Sequence, residues 1–237
     1  MKTKLLLVTG AVILLLASCI DEFIIHGNGI PAMDNRRVSD FSSVSSEGDF
    51  EVHIVQDDEC EVVVHADSNV LPFIQTTVNG GHLRIHFRGL HGIRNRLPVE
   101  VFIKAPAVEG LVQSGSGFIK TGWLTGESIN FVVSGSGRIE SSVEADNIDA
   151  VVSGSGDLFI EGVAIDTRLA VSGSGIIDGM EFTTEKCDAK VSGSGDVWIN
   201  VDDYLKAVVS GSGHVFYSGT PYIEMVVSGS GGVIHKN

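Results

Sequence analysis

The sequence predicts an all-β fold, a parallel β-helix of about 19 residues per coil, and three observations predict it. The tetrapeptide Ser-Gly-Ser-Gly begins at Ser114, Ser134, Ser153, Ser172, Ser192, Ser210 and Ser228, with spacings of 20, 19, 19, 20, 18 and 18 residues. Such a short fixed period marks a solenoid. Within each repeat, apolar and polar residues alternate with a β-branched bias, which is the pattern of a half-buried strand. No Asn-Gly type of turn separates the copies, so they stack in parallel rather than fold back as hairpins.

Taken in order, the chain starts with a segment outside the fold. Residues 1–18 carry Lys2 and Lys4 and then an apolar stretch, Leu5–Leu16, too short to span a membrane but suited to a secretory signal. The stretch ends Leu16-Ala17-Ser18-Cys19, which resembles the lipobox of bacterial lipoproteins. That resemblance implies a lipid on Cys19, a membrane partner through it, and export to the cell envelope at the outer membrane; Ile20-Asp21-Glu22 after it resembles the surface-export signal of some Gram-negative lipoproteins, with a solvated tether as the alternative. Residues 19–40 read as a tether, with Gly27, Gly29 and Pro31 and no sustained period.

Residues 41–110 read as a β-rich region that begins the solenoid and caps it, as the irregular end of a solenoid must. Strand-like runs are Glu51–Gln56, Glu61–His65, Phe73–Val78, His82–Arg88 and Val99–Lys104. Asn79-Gly80 between the third and fourth is a hairpin signal. Val44–Val52 reads as a degenerate copy of Val152–Ile160, so the first coil starts near Phe41.

Residues 111–237 are the regular solenoid. Count each repeat from its first Ser as position zero. Position minus one is Val in six copies, positions one and three are Gly, and position five is Ile, Leu or Val. These odd positions are predicted to face the core, with the Gly pair allowing a sharp bend or a close approach of the opposite wall. The Ser pair would form two outward ladders at about 4.8 Å per step. Each coil has room for roughly three short strands and three bends. The last motif is followed by only six residues, Gly232–Asn237, so the C-terminal coil should present an open edge and apolar residues including Met225, Val227 and Val233. A second copy is one candidate partner for that edge.

Composition narrows the function classes. The chain has 237 residues, 29 Gly, only 5 Pro and a net charge of −14. Glycine without proline enrichment fits a β-solenoid, and the acidity argues against nucleic acid as a partner. Beyond Cys19, Cys60 and Cys187 remain; Cys187 takes a core position filled elsewhere by Ile or Leu and reads as a free buried thiol.

The run Phe41-Ser42-Ser43-Val44, the segments Val52-His53-Ile54-Val55-Gln56 and Leu83-Arg84-Ile85, and the repeated Val-Ser-Gly-Ser-Gly as at Val133–Gly137 resemble the auto-transporter adhesin head (GIN) domain family. The resemblance covers most of the chain beyond the signal. It implies a right-handed parallel β-helix on exported, often lipid-anchored proteins, an adhesin-like role, and no catalytic residues.

Candidate chemistry is sparse, and no cofactor is expected. No Ser-Gly-Ser-Gly runs into Gly-Lys-Ser, so there is no phosphate loop. Asp follows the motif only as Asp157 and Asp196, too rarely for a calcium-binding roll. Glu140, Asp157, Asp178 and Asp196 lie just past the motif on four successive coils, and Asp157 and Asp196 would lie about 9.6 Å apart, near the wider spacing of inverting glycoside hydrolases. That keeps a polysaccharide-cleaving hydrolase or lyase as the enzymatic alternative, beside a purely structural envelope protein. No basic or aromatic companion recurs beside them, which favours a solvated acidic edge.

Two sets of binding residues stand out. Arg84, Arg88, Arg94 and Arg96, with His82, His86 and His91, form a basic stretch without an acid, a candidate anion site. His82 and His86 would be about 13 Å apart, too far to share a metal. Phe159, Trp198 and Phe216 occupy position six. If alternation persists through the motif they face outward and can stack on sugars or a surface protein. A bend after the Gly pair would reverse the parity and bury them, which is the preferred reading. The sequence thus points to a non-catalytic binding or adhesion module of the envelope.

Overall fold

The computed structural model describes residues 24–89 and 92–236. It is a parallel β-solenoid of about seven turns at about 19 residues per turn. Signal, lipobox and Cys19 lie outside the described residues.

Each central coil is one long strand rather than three short ones: β11 (Phe118–Gly135), β12 (Arg138–Gly154), β13 (Asp157–Gly173), β14 (Ile176–Gly193) and β15 (Asp196–Gly211). Pairing runs nearly unbroken around the coil, with register shifts only after Lys120, Phe159, Gly179 and Thr184. The wall therefore bends through bulges within a continuous ladder. The true break falls at positions two and three of the motif. Motifs lie in register, so that Ser134, Ser153, Ser172, Ser192, Ser210 and Ser228 stack.

The two glycines of the motif turn out to have different duties. The second, as at Gly156, faces the core and is buried, as expected. The first, as at Gly154, is exposed, with φ of +113°, and its equivalents lie between +112° and +123°. Its carbonyl accepts two backbone N–H groups from the next coil: Gly154 O takes Ser174 N at 2.8 Å and Gly175 N at 3.1 Å. A Cβ at Gly154 would lie 2.7 Å from Gly135 O, and one at Gly156 would lie 2.3 Å from Gly137 O. The constraint is thus contact along the stack with the previous coil, not approach to the opposite wall. Position five stays in the core, with Ile119, Ile139, Leu158, Ile177, Val197 and Val215 fully buried.

The N-terminal region joins the stack out of sequence order. Strands β3 (Ser43–Glu47) and β4 (Glu51–Gln56) lie in parallel against β10 (Gly110–Gly115) and β11. On their other side lie β7 (His82–Phe87) and β9 (Glu100–Ala105), again parallel. The later segment therefore sits further from the solenoid than the earlier one. β6 (Ile74–Asn79) forms the expected hairpin with β7, with Gly80 and Gly81 at φ +58° and +76°. β5 (Glu61–Asp67) runs antiparallel to β9.

Two expectations need correction. Glu47 pairs with Ser114 and Val44 with Leu111, so the degenerate first motif is Glu47-Gly48-Asp49-Phe50, two residues later than the sequence match suggested. Gly48 keeps the first-glycine place, while buried Phe50 replaces the second. Residues 24–36, expected within the tether, contain β1 (Ile24–His26), which pairs with β8 (Gly92–Arg94), and β2 (Pro31–Arg36), which pairs with β5. Pro-Ala-Met-Asp-Asn-Arg shows no alternation because this strand lies on the sheet edge and buries little.

The two parts are pinned by Asp67. Its fully buried carboxylate accepts N–H groups from Gly29 at 2.5 Å, Arg96 at 2.8 Å and Leu97 at 3.0 Å. Burial alone would raise its pKa, but these donors outweigh it and hold the group below its ordinary value. Cys60 and Cys187 are both free, and burial pushes the Cys187 thiol far up.

Candidate binding face

The strands that follow the motif build one long outer face. Its first row along the axis is Glu100, Glu51, Phe118, Arg138, Asp157, Ile176, Asp196 and His214. Its second row is Phe102, His53, Lys120, Glu140, Phe159, Asp178, Trp198, Phe216 and Ile234. Parallel, in-register stacking of every coil places these side chains as neighbours although they come from nine different strands.

The preferred burial of Phe159, Trp198 and Phe216 is overturned. Alternation resumes after the buried second Gly, so position six faces out and Phe159 is 40% exposed. The three rings are not equivalent, however. Trp198 and Phe216 stack at 4.0 Å and 23°, and the Lys236 ammonium lies 4.7 Å from the Phe216 ring and 5.4 Å from Trp198. The backbone places that lysine through Lys236 N–H donating to Tyr217 O at 2.7 Å. Their faces are used within the fold. Phe159 instead lines a groove of 540 Å³ with Lys120, Arg138, Glu140, Ser142, Glu161, Asp178 and Met180.

The polar groups of this groove are held in place. Glu140 pairs with Lys120 and Arg138, both at 3.1 Å. Arg138 also lies over the Phe118 ring at 5.5 Å. Ser142 donates to Glu161, and Asp178 accepts Met180 N–H at 3.2 Å. A flat apolar platform ringed by fixed donors and acceptors suits a sugar ring, whose faces are apolar and whose rim is polar.

Of the four acids that could have been catalytic, Glu140 and Asp178 line the groove, while Asp157 and Asp196 are engaged with the backbone. Asp157 accepts Ile176 N–H at 3.2 Å, and Asp196 accepts His214 N–H at 2.8 Å. Each thus caps the corner of the next coil, and neither lines the groove.

The basic stretch is divided. Arg84 on β7 makes a bidentate pair with Glu47, at 2.7 and 2.6 Å, and holds that carboxyl below its ordinary value. Burial, then the charge of Arg84, hold His86 below the ordinary imidazole value. Arg94 belongs to the separate two-stranded sheet of β1 and β8, and Arg96 follows it in a loop tied by its backbone to Asp67. Arg88, Arg94 and Arg96 are exposed and have no ion-pair partner among the described residues; His91 lies outside them. Sequence reading missed Glu51, His53 and Glu100, which meet on this face through the non-local pairing of β4 with β9. No local motif announces a contact across 47 residues.

Comparison with known proteins supports the fold. The family model described as "Putative auto-transporter adhesin, head GIN domain" matches residues 40–221. A putative adhesin from Bacteroides fragilis NCTC 9343 aligns with a TM-score of 0.84 at 20% identity, covering 90% of this chain and 100% of that one. A putative lipid binding protein from Parabacteroides distasonis ATCC 8503 gives 0.78 at 22%, with 90% and 100% covered. A putative adhesin from Parabacteroides merdae ATCC 43184 gives 0.74 at 18%, with 90% and 99% covered. Among curated proteins nothing matches.

Proposed function

The chain belongs to the auto-transporter adhesin head GIN domain family, and on that premise we propose that it is a non-catalytic binding module of the cell envelope. The family description supports an adhesin-like role at the surface. The lipobox-like Leu16–Cys19 supports anchoring through a lipid on Cys19 at the outer membrane. No helix among the described residues is long and apolar enough to cross a membrane.

The observation that carries the reading is Phe159, an exposed ring in a groove whose charged and hydroxyl groups are already oriented. Its ligand class is a glycan, with one sugar ring stacked on Phe159 and its hydroxyls met by Lys120, Glu140 and Asp178. Glu140, Glu161 and Asp178 in the groove are committed to ion pairs and hydrogen bonds, which supports binding rather than cleavage. A glycan-array screen of the chain tests this. Binding is expected, with Phe159→Ala weakening it by about 1–3 kcal/mol, the scale of a lost aromatic stack, and with no cleavage of the bound glycan. Absence of any bound glycan, or a Phe159→Ala protein that binds as the parent does, would overturn the assignment.

A further inference from the structure

Outside the Phe159 groove, the same outer face carries a cluster of a different kind. Glu51 on β4 and Glu100 on β9 are in-register neighbours on adjacent parallel strands, and His53 lies two residues on from Glu51, on the same side. One ligand atom from each of the three falls within 4.8 Å of the others, and all three side chains are half-buried. Among the described residues neither carboxylate has an ion-pair or hydrogen-bond partner. Like charges directly opposite on paired strands are destabilising, and no ion pair among the described residues offsets them.

The imidazole is fixed independently of the carboxylates. His53 stacks on Phe102 with centroids 5.2 Å apart at 15°, and Phe118 meets it edge-on at 5.6 Å and 85°. Flanked by these rings, it has little freedom to turn away from the two acids.

We propose that Glu51, His53 and Glu100 form a binding site for a divalent transition metal, with zinc as the ion. One imidazole and two carboxylates make a mixed nitrogen and oxygen set at tetrahedral ligand number less one. Calcium and magnesium take oxygen ligands and would leave His53 without a role. Three protein ligands keep a coordination position for water or for a carboxylate of a bound molecule. A neighbouring groove of 420 Å³ reaches Glu100 past His65, Met33 and Leu97, and gives such a group its approach.

The test uses the full chain, purified without a polyhistidine tag. Zinc chloride and calcium chloride are titrated separately by calorimetry, and bound zinc is counted by native mass spectrometry. One equivalent of zinc is expected, bound at least about tenfold more tightly than calcium. His53→Ala and the near-isosteric Glu100→Gln should each weaken zinc at least about tenfold, the scale of losing one anchoring group in a metal site. Metal-free Glu100→Gln should melt no lower than the parent, since it removes a like-charge pair; this keeps the test sound if His53→Ala folds poorly. His82→Ala, on another strand, should bind as the parent does. No zinc uptake, calcium binding equal to zinc, or zinc binding that survives Glu100→Gln would overturn the site.

Discussion

At the scale of the residue, single polar and glycine positions hold more of the structure than their size suggests. Asp67 satisfies three backbone donors, from Gly29, Arg96 and Leu97, in the two segments just beyond the end of the β1–β8 ladder. Asp67→Asn would set an NH₂ group among donors, and should destabilise by about 1–3 kcal/mol. The pH dependence has a definite sign. The folded carboxyl has a lowered pKa, so its contribution is complete above the unfolded value of about 3.9 and fades as pH falls through the folded one. The difference in melting temperature between parent and Asp67→Asn should therefore be constant from neutral pH down to about 5 and shrink below about 4. A gap that persists unchanged in acid would show that Asp67 acts by packing and not by charge. None of this was visible in the sequence, where Asp67 is one acid among 30 Asp and Glu.

At the scale of the element, alternation marks most strands; it is absent from the edge strand β2, which buries little, and it misleads where a corner resets the register. Glu51–Gln56 was read with its observed limits, and the Asn79-Gly80 hairpin stands where expected. The register of β3 was missed by two residues because Val44–Val52 matches the repeat by residue type, whereas pairing follows the corner at Gly48. The outward direction of Phe159 was missed because the parity of a strand beyond a corner depends on dihedral angles that one repeat does not state. The last coil, β17 (Tyr222–Gly229) and β18 (Gly232–His235), pairs on one side only among the described strands. It exposes Tyr222, Met225 and Val226, each by more than half. We propose that this edge pairs with a second copy, as open strand edges do. Sedimentation at tens of micromolar should show a dimer that Ile234→Lys dissociates. A monomer unaffected by the substitution would contradict self-pairing.

At the scale of the whole molecule, a stack of like coils turns a short motif into an extended surface. Periodicity made the solenoid legible, because every coil repeats the same instruction. The inverted order of the N-terminal strands was not legible, since β7 and β9 carry no copy of the motif and their places follow from tertiary pairing alone. Anchoring is a separate proposal: Cys19→Ala should release the protein from membranes, and mass spectrometry finding an unmodified Cys19 in the parent would rule the anchor out. The binding face requires that the motif-bearing coils stay in register, and that register rests on the first glycine of each motif. At Gly154 a valine would need φ near +113° and would press on the Gly135 carbonyl. The most direct measurement is the melting temperature of Gly154→Val beside that of Ser153→Val, one residue away on the exposed Ser ladder. Gly154→Val is expected to cost at least about 2 kcal/mol, or roughly 4–8 °C in a chain of this size. Ser153→Val should stay within about 0.5 kcal/mol of the parent. Equal losses at the two positions, or the reverse order, would contradict the stacked-corner account.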